Sequence, residues 1–131
     1  MNIGIDIDAT ITEMPAFFAI LSKAFRAGGH KVYIVSYRSI DGRDQTLQEL
    51  ADFGVEHDGL YLSDSYSESI TAFKGRMARE LDIDVFFDDM PEAFLDMPEK
   101  TQRLWLCDPR VYKLDVVVEK LTEAMRFGLD N

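Results

Sequence analysis

Five short runs rich in apolar, β-branched and aromatic residues are spaced along the chain: Ile3 to Ile7, Lys31 to Val35, Gly59 to Leu62, Asp84 to Phe87 and Arg103 to Leu106. Each has the length and composition of a strand. The stretches between them carry apolar residues at helical spacing. Strands that alternate with helices cannot pair as hairpins, because each helix carries the chain back to the end from which the last strand started. The pattern therefore predicts an α/β fold: a five-stranded parallel sheet with helices on both faces and right-handed connections. The chain has 131 residues, 47% of them apolar, enough for a single domain spanning 1–131 with a real core.

The helical stretches are read as follows. A helix begins near Pro15, capped by Thr12, with Phe17, Phe18, Leu21, Ala24 and Phe25 on its inner stripe and Gly28–Gly29 as its stop. A second spans Asp44 to Phe53, with Leu47, Leu50 and Phe53 inward and Gly54 behind it. A third spans Ile70 to Leu81, with Ile70, Phe73, Met77 and Leu81 inward. Pro91 starts a short helix. The last runs from Leu114 to Phe127, with Leu114, Val117, Val118, Leu121 and Met125 on its stripe. Trp105 and Cys107 are expected in the core.

Charge and cysteine content narrow the function. A formal net charge of -10 makes a nucleic-acid partner unlike this chain, since such surfaces need clustered Lys and Arg. It leaves room for a small phosphorylated ligand held through a metal. Cys107 is the single cysteine, so no internal disulfide forms, and a cytoplasmic setting is expected. No apolar run approaches the roughly 18 residues of a membrane span, and no signal peptide is evident.

Polar residues gather where the predicted strands end, at Asp6 and Asp8, at Ser36, and at Asp88 and Asp89. Ligands of open α/β sheets bind beyond those C-terminal ends. In a strand, side chains alternate faces, so Asp6 and Asp8 point the same way. Two adjacent carboxylates repel each other, and a divalent metal is the usual compensation. Such a pair also supplies a nucleophile and a general acid/base. Taken singly, the residues have plainer readings. Asp6 and Asp8 could form a non-catalytic metal or capping site, Ser36 a turn, Lys74 a solvated helix position, and Asp88 and Asp89 a helix start.

Taken in order, these features resemble the haloacid dehalogenase superfamily, a group dominated by magnesium-dependent phosphatases. Its first motif is matched by Asp6-Ile7-Asp8-Ala9-Thr10, and its second by Ser36 after Val32-Tyr33-Ile34-Val35. Lys74 stands for the third, and Phe86-Phe87-Asp88-Asp89 for the fourth. The resemblance implies a three-layer Rossmann-like fold and a Mg²⁺-dependent phosphomonoesterase working through an aspartyl-phosphate. Asp6 would be the nucleophile and Asp8 the acid/base. The metal would be held by Asp6, the backbone carbonyl of Asp8, and Asp89, with Asp88 acting through water. Ser36 and Lys74 would hold the phosphoryl oxygens. Thr10, Tyr37 and Arg38 are further candidates for substrate contact, with Tyr66 another wall residue. Where many members carry a further aspartate, this chain has Glu92, whose place in the outer metal shell is open.

The chain has no room for a substantial cap between Thr10 and Ser36 or between Ser36 and Lys74. A nearly bare core fits a small substrate, such as a nucleotide, under a lid supplied by a loop or by a second copy in a homo-oligomer. The segment from Asp58 to Asp89 is similar to the nucleotidase branch of the superfamily. Two other readings stay open: phosphate-end processing of an oligonucleotide, and a metal- or phosphate-binding regulatory module without turnover.

Overall fold

The computed structural model describes the backbone of residues 1–108 and 114–130, and the side chains of 1–108 and 118–126. Five strands form one parallel sheet in the order β3-β2-β1-β4-β5. They are β1 (Asn2–Ile5), β2 (Lys31–Ser39), β3 (Gly59–Ser63), β4 (Val85–Asp88) and β5 (Gln102–Trp105). Four α-helices connect or follow them: α1 (Pro15–Ala27), α2 (Arg43–Phe53), α3 (Ile70–Glu80) and α4 (Leu114–Asp130). Short 3-10 turns cover Ile40–Gly42 and Pro91–Phe94. This is the expected α/β fold of the three-layer, Rossmann-like kind.

Strand alternation builds two cores, one on each face of the sheet. Ile3, Ile5, Val32, Ile34, Leu60, Leu62 and Phe87 pack with Phe18 of α1 and Leu50 of α2. On the other face Val35 and Phe86 pack with Phe73, Met77 and Ala78 of α3 and with Phe94 and Met97. Neighbours in sequence, Ile34 and Val35 or Phe86 and Phe87, thus serve opposite layers. With both faces covered, the strand residues are apolar on each side, as parallel sheets require.

Several local expectations are corrected. On α1, Phe17 is 47% exposed and Ala24 faces solvent, while Ser22 is buried: its hydroxyl donates to the Ala19 carbonyl and accepts from the Glu56 N–H. The helix starts without a side-chain cap, and Thr12 instead accepts from the Ala9 N–H at 2.9 Å, bracing the turn before it. On α4, Val118, Leu121 and Met125 are exposed, so that stripe is only partly covered. Leu114 and Val117 lie outside the residues whose side chains are described. Strand β5 ends at Trp105, which leaves Cys107 beyond it and half-buried. Among the described residues, no helix is long and apolar enough to cross a membrane.

Candidate active site

Strand β1 lies between β2 and β4, and the sheet order reverses there, which opens a crevice beyond the strand ends. Ile5 is in register with Phe87, and the Asp6 N–H donates to the Phe87 carbonyl at 3.0 Å. Asp6 therefore stands level with Asp88 on the adjacent strand, although 82 positions separate them in sequence.

The chain leaves the sheet at once. Strand β1 ends at Ile5, short of the predicted Ile7, and residues 7–11 form a tight, kinked turn. Asp8 is extended within it (φ -68°, ψ 128°), and Ala9 takes a left-handed conformation at φ 59°. For a residue with a Cβ that conformation is strained. The same-face argument for Asp6 and Asp8 thus fails, because strand alternation stops before Asp8. Asp6 is 7% exposed, whereas the Asp8 side chain is 64% exposed.

Asp6 belongs to a buried ionic cluster. The Lys74 ammonium donates to Asp6 Oδ1 at 2.7 Å, to Asp88 Oδ2 at 2.8 Å and to the Val35 carbonyl at 2.8 Å. All three of its protons are used and the side chain is fully buried. The other oxygens are held as well. Thr10 donates to Asp6 Oδ2 at 3.2 Å, and the Met90 N–H donates to Asp88 Oδ1 at 3.0 Å. Trp105 Nε1 donates to the Asp89 carbonyl at 2.8 Å, so β5 fixes the backbone that carries Asp89. Helix α3 brings Lys74 this close because Gly75 lets it press on residue 96: a Cβ at Gly75 would meet the Asp96 carbonyl at 2.6 Å.

One lysine bonds two of three clustered carboxyl groups. Burial alone would push the Lys74 ammonium down, but Asp6 and Asp88 outweigh it, and its pKa lies above the ordinary value. Burial drives the Asp88 carboxyl upward against the pull of Lys74. Asp89, half-buried, is pushed up to about 7 by burial and by its neighbours Asp6 and Asp88. One oxygen from each of Asp6, Asp88 and Asp89 lies within 4.8 Å of the others. Three carboxylate oxygens this close together form a donor set that could hold a hard divalent cation. The Asp8 carboxylate is not part of this group. Neither is Glu92, whose carboxylate faces Lys120 of α4 at 3.3 Å.

Asp8 stands on the rim in a second ionic group. Arg38 Nε donates to Asp8 Oδ2 at 2.9 Å and Nη2 to Asp8 Oδ1 at 2.8 Å. The other edge of the guanidinium meets Glu49 of α2 at 2.6 Å and 3.3 Å. These bonds hold the Asp8 carboxyl below its usual range. Arg38 gets there through a bulge. Strand β2 does not stop at Ser36 as expected but continues to Ser39, and its pairing with β3 slips between those two residues. The slip pushes Tyr37 and Arg38 toward the crevice, as bulges commonly re-aim side chains.

The crevice is an open pocket of about 420 Å³, lined by Asp6, Asp8, Tyr37, Arg38, Tyr66 and Asp89 among others. Ser36, Thr10 and Lys74 do not line it. Ser36 is buried behind it and accepts from the Arg38 N–H at 3.2 Å. Thr10, expected to touch substrate, is fully buried on Asp6 instead, because the turn at 7–11 folds it inward. Sequence reasoning missed Glu49, Trp105 and Gly75. Glu49 carries no sequence signal, since a glutamate between two helix leucines reads as a solvated residue.

Among solved structures, the fold is similar to that of a chain in the structure of the Pnkp1/Rnl/Hen1 RNA repair complex, with a TM-score of 0.64 and 18% sequence identity. The match covers 82% of this chain and 43% of that one, so this chain spans less than half the length of its structural neighbour. At that identity the likeness is one of fold. No family model and no curated protein matches the chain.

Proposed function

We propose that the chain is a metal-dependent phosphomonoesterase of the haloacid dehalogenase type, acting on a small phosphate ester. The observation that carries this reading is Asp6: a buried carboxylate, oriented by Lys74 and Thr10, beside two further acidic groups at the strand ends. A purely structural ion pair would need one carboxylate for Lys74. Three leave a net negative charge for which a cation is the natural partner.

In the proposed reaction an Asp6 oxygen attacks phosphorus, a phosphorus–oxygen bond forms, and the bond to the leaving oxygen breaks. Asp8 gives that oxygen a proton. Asp8 then takes a proton from water, the water oxygen attacks phosphorus, and the bond to Asp6 breaks. When bound, Mg²⁺ would screen the negative charge shared by Asp6 and the phosphate. Asp6, Asp88 and Asp89 would hold it, with the Asp8 carbonyl as a further ligand. Lys74 holds and aims Asp6, and offers a donor to a phosphoryl oxygen when it releases one of its partners. Arg38 keeps Asp8 ionised, the state needed of the base in the second half. Proton donation in the first half requires the guanidinium to leave Asp8, and Glu49 is placed to retain it.

The pocket is uncapped, with Tyr66 of the segment between β3 and α3 at its edge, so a lid would come from that loop or from a second copy of the chain. The RNA repair complex that contains the structural neighbour favours a second reading, removal of a terminal phosphate from an oligonucleotide. Against it, Asp6, Asp8, Asp88 and Asp89 line the pocket and, among the described residues, Arg38 is its single basic lining residue, a poor landing site for a polyanion.

The test is phosphate release from sugar phosphates, nucleoside monophosphates, p-nitrophenyl phosphate and a phosphate-ended oligonucleotide. Release that needs Mg²⁺, stops with chelator and is lost in a folded Asp6→Asn variant is the expected result. Normal release by Asp6→Asn would overturn the mechanism, and efficient release from the oligonucleotide alone would favour the second reading.

A further inference from the structure

The active-site pocket continues past Arg38. On the far side of that side chain a second pocket of about 320 Å³ opens, lined by Ser39, Gln45, Thr46, Glu49 and Tyr66 along with Gly42. Arg38 and Tyr66 line both pockets, so the two are neighbours across one guanidinium and one ring.

The order of groups gives the second pocket a direction. Asp6 marks the phosphorus. Asp8, as acid, has to stand beside the leaving oxygen. Asp8 is bonded to Arg38 and Arg38 to Glu49, so the path from Asp6 through Asp8 leads over the guanidinium and into the second pocket. A leaving group that departs past Asp8 travels along that path.

The lining states what kind of group would fit. The Gln45 amide has no hydrogen-bond partner among the described residues, so it offers both donors and an acceptor. Ser39 accepts from the Asp41 N–H and keeps its own proton to donate. A side-chain Cβ at Gly42 would meet nothing within 4 Å, which leaves the floor open there. Tyr66 is 55% exposed and stands 5.1 Å from the Tyr37 ring, centroid to centroid. Its backbone and that of Ser65 are left-handed, at φ 53° and 57°. Two successive strained residues presenting one aromatic ring are the kind of local cost found at ligand clamps. A further anion is disfavoured, because the one guanidinium is already shared by two carboxylates, Asp8 and Glu49.

We propose that this second pocket binds the leaving group of the substrate, and that the leaving group is an uncharged ring bearing several hydroxyls. Its apolar face would lie on Tyr66 and its hydroxyls on Gln45 and Ser39. A free pentose phosphate and a nucleoside monophosphate both carry such a ring. The inference rests on the phosphatase reading, and on Asp8 as its acid.

The experiment compares kcat/KM for ribose 5-phosphate, for a nucleoside 5′-monophosphate and for p-nitrophenyl phosphate, whose ring has no hydroxyls. Gln45→Ala and Tyr66→Ala change exposed side chains, so folding is not at risk. The expected result is that each variant lowers the ratio of ribose 5-phosphate to p-nitrophenyl phosphate turnover, by about tenfold for the pair combined. A fall confined to the nucleoside ester would support the pocket with a nucleoside as its ring. Ratios that stay within about twofold of wild type for both natural esters would overturn the inference while leaving the phosphatase reading intact. No hydrolysis of any ester by the wild-type chain would overturn both, a different and separable result.

Discussion

Replacing Lys74 by methionine tests whether the centre is the three-carboxylate cluster described above. Methionine matches the lysine stem closely, so lost packing contributes little. What disappears is the one cation at 2.7 Å from Asp6 and 2.8 Å from Asp88, both buried. Removing one partner of a buried ion pair costs about 3–5 kcal/mol, because the remaining charge is stranded. At this chain length a loss of that size lowers the melting midpoint by roughly 10–15 °C. The sign of its pH dependence follows from the carboxylates. Without Lys74, folded Asp88 holds its proton to a still higher pH than it does in the unfolded chain, where the ordinary value applies. Stability contributed that way is present at low pH and lost as pH rises. The variant should therefore be close to wild type near pH 5 and weakest near pH 8, in urea unfolding with chelator present. Adding Asp88→Asn to Lys74→Met should restore part of the loss at pH 8. A deficit under about 1 kcal/mol at pH 8, or one equal at both pH values, would refute the reasoning.

Other expectations follow from the same geometry. Asp89, at about 7 in the metal-free protein, takes up a proton on folding between its ordinary value and that one, so stability in chelator falls as pH climbs through this window. Asp89→Asn should flatten the dependence, and Mg²⁺ at pH 8 should raise the melting midpoint of wild type but not of that variant; equal Mg²⁺ effects would refute its role. Gly75→Ala places a Cβ 2.6 Å from the Asp96 carbonyl, and the overlap should outweigh the helix propensity of alanine for a net loss of about 1–2 kcal/mol in urea unfolding. A gain in stability would contradict the close approach of α3. Arg38→Lys keeps the charge but loses the paired bonds to Asp8 and Glu49, so kcat/KM should fall about tenfold or more with stability changed by less than about 1 kcal/mol. Unaltered turnover would sink the role of that pairing.

The alternation of strands and helices was legible because parallel sheets bury both faces and leave runs such as Val32–Val35 and Phe86–Phe87 nearly free of polar residues. Local breaks in that alternation were not. Nothing in Ile5-Asp6-Ile7-Asp8 says that the strand stops after Ile5; the chain folds at once into the turn over 7–11, which contains a left-handed Ala9, a conformation alanine rarely signals. The extension of β2 to Ser39 was hidden by the same kind of event, a bulge over Tyr37 and Arg38. Lys74 was singled out through the family resemblance, yet it had a physical signature. It sits among Phe73, Met77 and Ala78 on the buried face of α3, where a lysine must have carboxylate partners. Asp88 and Asp89 were readable as strand-end acids, while their fixing by Met90 and Trp105 depends on contacts that only the folded chain brings together.

The bulge in β2 also divides labour along the sheet. Asp6, Asp88 and Asp89 ride on β1 and β4, whose register is pinned by Ile5 against Phe87. Tyr37, Arg38 and the second pocket belong to the outer half, where the ladder has already slipped. A residue gained or lost in that outer half would reshape the second pocket, leaving the register that places the acids unchanged. Under the proposed phosphatase reading, such an arrangement would let recognition drift along the outer strands while the acidic cluster stays in place.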